Sequence, residues 1–202
     1  MKTQKENNRS LRDVHNRLGK VSTLKELSGN DMVLSQGSLS TEITDLITDS
    51  RRVTPGSAFF AIPGLRTDGN NYLDEAIRRG AKTIISNKEN TNLPAGVTAV
   101  KADNPRLTLA KFAKNYHGAP DRSLNIIGVT GTNGKTTVTA LVRHLLERPG
   151  RPVGLLGTVK YHLGDRDLPS FKTTPEASDI YPLLRSMLVA GCSEAVMEVS
   201  SH

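Results

Sequence analysis

Apolar residues fall along this chain in two rhythms, short continuous runs and stripes spaced at 3.6 residues, and the alternation between them predicts the elements. After a polar opening stretch, residues 22–27 are short and weakly helical, and 43–48 read as a strand leading into Asp49-Ser50-Arg51. Val53-Thr54-Pro55-Gly56 is a turn, because proline fixes one backbone angle and glycine permits the next. Residues 58–62 form a compact apolar strand closed by Pro63-Gly64, and a polar loop runs from Leu65 to Asn71. Residues 72–79 read as a short helix stopped by Gly80, with 83–86 and 97–100 as further strands.

Asn104-Pro105 has the form of a helix start, with asparagine capping and proline in the first turn. Leu109, Phe112, Ala113 and Tyr116 then follow the i, i+3, i+4, i+7 spacing of one helical face. Gly118-Ala119-Pro120 ends this helix and marks a boundary between domains at 22–120 and 121–202, behind a basic flexible tail at 1–21. Residues 124–129 are an apolar strand running into a Gly- and Thr-rich loop, and a helix follows with Val138, Leu141, Val142 and Leu145 on one face. Residues 153–161 read as strand, 179–190 as a helix with Pro182 in its first turn, and 195–199 as a buried strand. Strands alternating with helices give an α/β class: a small N-terminal α/β domain, then the first part of a P-loop-type, mostly parallel α/β domain.

The segment richest in chemistry is Gly128-Val129-Thr130-Gly131-Thr132-Asn133-Gly134-Lys135-Thr136-Thr137. Glycines let the backbone curl so that amide N–H groups point inward, and the helix N-terminus adds positive potential. Lys135 then bridges the outer phosphates of a nucleotide triphosphate and Thr136 ligates Mg²⁺. The usual pattern G-x-x-x-x-G-K-[ST] is not met strictly, since Val129 stands at the first glycine position and Gly131 lies inside the loop. A metal-bound phosphate also needs a carboxylate at the end of a neighbouring strand, and Glu198, after Ala195-Val196-Met197, has that placement.

Composition changes this picture little. The net charge of +7 is concentrated at the start: Lys2, Lys5, Arg9, Arg12, Arg17 and Lys20 against Glu6 and Asp13 account for +4 before residue 21. Such an arm is a solvated tail rather than a nucleic-acid element, and with no tryptophan and 4% aromatics the chain lacks platforms for base stacking. The single cysteine, Cys192, precludes an internal disulfide and reads as a packing residue in a reducing compartment. No apolar stretch reaches the ~18 residues that a membrane span needs, and the first twenty residues lack the apolar centre of a signal peptide, so a cytoplasmic protein with no membrane partner is expected.

The loop from Thr130 to Thr137 resembles the ATP loop of Mur ligases, which extend the peptide of bacterial cell-wall precursors; folylpolyglutamate synthases share much of it. Three further segments narrow the resemblance: Thr48-Asp49-Ser50-Arg51-Arg52-Val53 with Pro55-Gly56, Lys172-Thr173-Thr174-Pro175-Glu176, and Met197-Glu198-Val199-Ser200-Ser201-His202. Together they look like the UDP-N-acetylmuramoyl-L-alanyl-D-glutamate ligases, which add meso-diaminopimelate or L-lysine as the third residue. The resemblance implies that Gly131, Thr132, Asn133, Gly134, Lys135, Thr136 and Thr137 bind ATP and that Thr136 and Glu198 hold Mg²⁺. It further implies that Ser50, Leu65, Arg66, Thr67, Lys172, Thr173, Thr174 and Ser200 contact the UDP-muramoyl dipeptide. Lys172 stands where some relatives carry asparagine. Asp103-Asn104-Pro105-Arg106 is spelled like a motif of diaminopimelate-adding members, but it precedes the phosphate loop and reads as a helix cap.

The implied reaction passes the ATP γ-phosphate to the substrate carboxylate, and an amine then attacks the acyl phosphate, with Lys135 as the catalytic cation. The family's amino-acid-binding domain and its carbamylated lysine lie beyond the matching segments, so the expectation is a fragment, inactive alone, of an enzyme that is a monomer when complete. The alternatives are a non-catalytic module that recognises UDP-muramoyl precursors or nucleotide, and another relative among the Mur ligases and folylpolyglutamate synthases.

Overall fold

Four-residue runs buried along their whole length set up the first sheet. The computed structural model describes residues 21–28, 32–64 and 67–200. The chain divides into two compact units between Tyr116 and His117. In the first, Ala58–Ala61 (β5) and Thr83–Ser86 (β6) are buried at every residue, as central parallel strands covered on both faces must be. With Val33–Gln36 (β2), Leu46–Ile47 (β4) and Thr98–Lys101 (β7) they form a sheet of order β2-β7-β6-β5-β4, parallel except for β2 at its edge. Successive strand residues point to opposite faces. Phe59 packs with Ala76 of the helix Leu73–Arg78 (α2), whereas Phe60 meets Phe112 of the helix Pro105–Tyr116 (α3) edge to face at 5.5 Å.

The predicted stripe of α3 is buried at Leu109, Phe112, Ala113 and Tyr116, and the Asn104 side chain accepts from the Leu107 amide at 3.0 Å, so Asp103-Asn104-Pro105-Arg106 is a helix cap. The predicted strand over 43–48 is instead two short ones. Glu42–Ile43 (β3) pairs antiparallel with Ser22–Thr23 (β1), and β4 pairs with β5, because the Thr44 amide and carbonyl between them are diverted to the Gly56 carbonyl and the Tyr116 hydroxyl. The helix Leu24–Leu27 (α1) is held by a reciprocal cap between Thr23 and Glu26. The chain leaves α3 through Gly118 and Ala119, both with positive φ, before Pro120.

The second unit is a sheet of order β11-β10-β9-β12-β8, from Asn125–Val129 (β8), Val153–Leu156 (β9), Lys160–His162 (β10), Asp167–Pro169 (β11) and Glu194–Glu198 (β12). β12 lies parallel between β8 and β9, while β9, β10 and β11 meander antiparallel. The single strand expected over 153–161 therefore turns back at Gly157-Thr158-Val159, and β11 had no sequence signal. Leu183, Leu184 and Met187 of the helix Ala177–Val189 (α5) fill one face with Leu156, Tyr161, Leu163 and Cys192. This helix starts earlier than expected, which puts Pro182 inside it rather than in its first turn. On the other face Val142 and Leu146 of the helix Lys135–Leu146 (α4) pack on Val153, Leu155 and Val196. The rest of the expected α4 stripe is not core: Val138, Leu141 and Leu145 are 44%, 56% and 74% exposed.

Candidate nucleotide and metal site

Strand register assembles the site. The ladder sets Glu198 opposite Val129 and Met197 opposite both Gly128 and Leu156, so β8, β9 and β12 end level at their C-terminal edge. The Val199 amide extends the pairing by donating to the Val129 carbonyl at 2.8 Å. From this edge β8 releases the predicted glycine loop, β9 the turn at Gly157-Thr158, and β12 the run beyond Glu198. Open parallel sheets bind ligands at that edge. Gly134, immediately before α4, adopts φ 77°, a left-handed conformation that β-branched residues resist.

Thr132, Asn133, Gly134, Lys135, Thr136, Thr137, Thr158, Thr173, Glu198 and Ser200 line an open cavity of about 340 Å³. The Lys135 ammonium donates to the Gly131 carbonyl at 2.7 Å, across the mouth of the loop. Glu198 is 1% exposed and holds no cation among the described residues, yet its carboxylate is fully engaged. Oε1 accepts from the Thr158 amide at 2.9 Å, and Oε2 accepts from the hydroxyls of Thr136 at 3.1 Å and Thr158 at 3.0 Å. Burial of an ionised carboxylate demands such donors.

The second predicted loop reaches Thr158 and the main chain of Glu198 and Ser200. Thr173 shares a 3.1 Å hydrogen bond with the Thr158 hydroxyl. Thr174 donates to the Glu198 carbonyl at 3.0 Å and accepts from the Ser200 amide at 2.9 Å. Tyr161, fully buried, fixes this loop by donating its hydroxyl to the Lys172 carbonyl while accepting from the Lys172 amide at 3.1 Å. The Lys172 ammonium stands 3.9 Å from Glu176. Thr158 and Tyr161 escaped the sequence reading; Gly157-Thr158 looked like the interior of a strand, and only the reversal into β10 turns it toward β12.

Ser50 and Thr67 belong to the first unit. The Ser50 hydroxyl donates to Glu75 at 2.6 Å, and Glu75 accepts again from Arg79 at 3.0 Å, beside a cleft of about 560 Å³ lined by Asn71, Tyr72, Asp74, Glu75, Arg78 and Arg79. Thr67 shares a 3.0 Å hydrogen bond with the Tyr72 hydroxyl. Leu65 and Arg66 lie outside the described residues, as do the basic tail over 1–20 and the terminal Ser201-His202.

The donor set suits magnesium: one carboxylate and one hydroxyl, both hard oxygens, leave most of an octahedron to phosphate oxygens and water. Among the described residues no cluster of three or more His, Cys, Asp or Glu forms an all-protein cage.

Comparison with known proteins agrees in order and place. Residues 42–117 match the profile of "Mur ligase family, catalytic domain" and 129–202 that of "Mur ligase middle domain". A UDP-N-acetylmuramoyl-L-alanyl-D-glutamate--2,6-diaminopimelate ligase from Clostridium tetani is 42% identical over 181 residues, covering 89% of this chain and 37% of its own length. A solved structure of a ligase of that name superposes with a TM-score of 0.70 at 24% identity, over 91% of this chain and 37% of that one. The MurF ligase of Thermotoga maritima, solved in complex with ADP, gives a TM-score of 0.52 at 28% identity over 78% of this chain and 32% of its own. The chain thus spans little more than a third of the relatives it matches. Two family profiles in sequence order, with the glycine loop at the head of the second and the buried Glu198 near its end, make this chain a member of the Mur ligase family.

Proposed function

We propose that the chain carries the substrate-gripping and nucleotide-gripping parts of an ATP-dependent ligase. That ligase joins a diamino acid to UDP-N-acetylmuramoyl-L-alanyl-D-glutamate in cytoplasmic peptidoglycan synthesis. The observation that carries this reading is the contact of Glu198 with Thr136 at the mouth of the glycine loop. The relative crystallised with ADP and the diaminopimelate ligase at 42% identity support the same choice. Among the described residues no helix is long and apolar enough to cross a membrane.

In this reading the loop from Gly131 to Thr137 holds the ATP phosphates, and Lys135 leaves the Gly131 carbonyl to meet the outer phosphate oxygens. Thr136 and Glu198 hold magnesium, which when bound neutralises charge on the phosphates. Thr173, Thr174 and Ser200 present hydroxyls to the muramoyl peptide, and Ser50, Leu65, Arg66 and Thr67 serve the UDP end. The glutamyl carboxylate of the substrate takes the γ-phosphoryl group, ADP departs, and the amine of the diamino acid displaces phosphate from the acyl phosphate. No protein nucleophile is required, so catalysis rests on orientation and charge.

Calorimetry on the 202-residue chain tests this. ATP with Mg²⁺ is expected to bind, and UDP-N-acetylmuramoyl-L-alanyl-D-glutamate to bind separately. Tight binding of the nucleotide sugar with no heat from ATP refutes the ligase reading in favour of a recognition module.

A further inference from the structure

We infer that Gly157-Thr158 is a carboxylate clamp that sets the rotamer of Glu198 and thereby presents one chosen oxygen, Oε2, to the metal; the inference rests on the ligase reading above. The turn after β9 was assigned no role by the sequence, and it makes more hydrogen bonds to Glu198 than any other element. Its backbone amide takes Oε1 at 2.9 Å and its hydroxyl takes Oε2 at 3.0 Å, so one residue grips both oxygens. Oε2 is also the oxygen that Thr136 reaches. Thus the oxygen facing the glycine loop is held by hydroxyls alone, those of Thr136 and Thr158, and the far one is pinned by the main chain.

Gly157 makes the grip possible. A Cβ at that position comes within 2.8 Å of Oε1, so any side chain there pushes the carboxylate out of its seat. Thr158 has one hydroxyl proton and a carboxylate can only accept, so that proton goes to Glu198 and the 3.1 Å bond to Thr173 must run from Thr173 to Thr158. The line Thr173, Thr158, Glu198 is therefore polarised toward the metal position. Thr158 is a positioning residue: it orients a metal ligand without being one. Outer partners of this kind hold ligand geometry, and their loss typically costs about 10- to 100-fold in metal affinity.

Two measurements on the full 202-residue chain test the clamp. In the first, ADP affinity is measured with Mn²⁺ and again in EDTA for the unsubstituted chain, Thr158→Val and Thr158→Ser. The metal-dependent gain should fall by about tenfold or more in T158V and persist in T158S, with metal-free affinity equal in all three. A T158V chain that keeps the full gain, or one whose metal-free affinity falls as far as its metal-loaded affinity, overturns the proposal. The second needs no nucleotide. Hydrogen exchange followed by NMR should show the Thr158 amide exchanging at least tenfold faster in Glu198→Ala while the Leu155 and Leu156 amides keep their rates; unchanged exchange at Thr158 overturns the clamp. Absence of any ADP binding by the unsubstituted chain would refute the nucleotide reading, and the exchange result would then still decide the clamp.

Discussion

Glu198 and Thr136, separated by 62 positions in the chain, meet at 3.1 Å because β12 lies beside β8 in parallel register. That single contact joins a buried carboxylate to the first turn of the helix after the glycine loop, and the proposed function depends on it.

Removing the loop cation should weaken nucleotide without disturbing the fold. Lys135 is half-buried at the cavity and its hydrogen bond is local, to Gly131. Hydrogen bonds to charged groups are worth about 1.5–3 kcal/mol, so Lys135→Ala should lower ATP affinity roughly ten- to a hundredfold. Calorimetry with circular dichroism as the folding control checks this; undiminished affinity contradicts it.

Acid should loosen the first unit partly through Glu75. The Ser50 hydroxyl, and after it the Arg79 guanidinium, hold the Glu75 carboxyl below its ordinary value. A carboxyl depressed by folding adds stability above its unfolded pKa and loses it as pH falls through the folded one. Thermal melts between pH 7 and 3 should therefore fall less steeply for Glu75→Gln than for the parent chain. Parallel slopes would show that the Ser50–Glu75 contact does not contribute.

At the alkaline end the reporter is Tyr116. Burial, with Asp45 nearby, pushes its phenol up to about 12, and its hydroxyl donates to the Thr44 carbonyl at 2.7 Å. Folding raises this pKa, so the stability it provides is present below about pH 10 and is lost as pH rises toward 12. With no tryptophan in the chain, absorbance at the phenolate band reads tyrosines cleanly. Tyr116→Phe should delete a component titrating near 12 and destabilise by about 1–3 kcal/mol, because the Thr44 carbonyl loses its buried donor.

Cys192 should behave as an unfolding probe. Burial raises its thiol pKa and the sulfur lies within the core of the second unit, near the Leu163 carbonyl. An aromatic disulfide reagent at pH 8 is expected to leave the native chain unmodified and to react once denaturant opens the unit. Rapid stoichiometric labelling of the native chain would contradict the burial.

The glycine loop was legible because its parts are local. Glycines, lysine and threonine in one loop point to phosphate chemistry by residue type, and the stripe of α3 shows in the spacing of Leu109, Phe112, Ala113 and Tyr116. What stayed hidden depends on partners distant in sequence. The split of 43–48 came from backbone groups at Thr44 being claimed by Gly56 and Tyr116. The reversal at Gly157–Val159 came from room on the β9 edge for an antiparallel pair.

By itself the sequence determined the main helices and the buried strands of both units, the glycine loop and the acid at the end of the last strand, since propensity, periodicity and side-chain chemistry act over a few residues. Only the tertiary structure decided which oxygen of Glu198 faces Thr136, that Thr158 grips both oxygens, and that Tyr161 anchors the Lys172 loop. Those relationships are set by strand register and by close approach between segments tens of residues apart, and no local pattern encodes either.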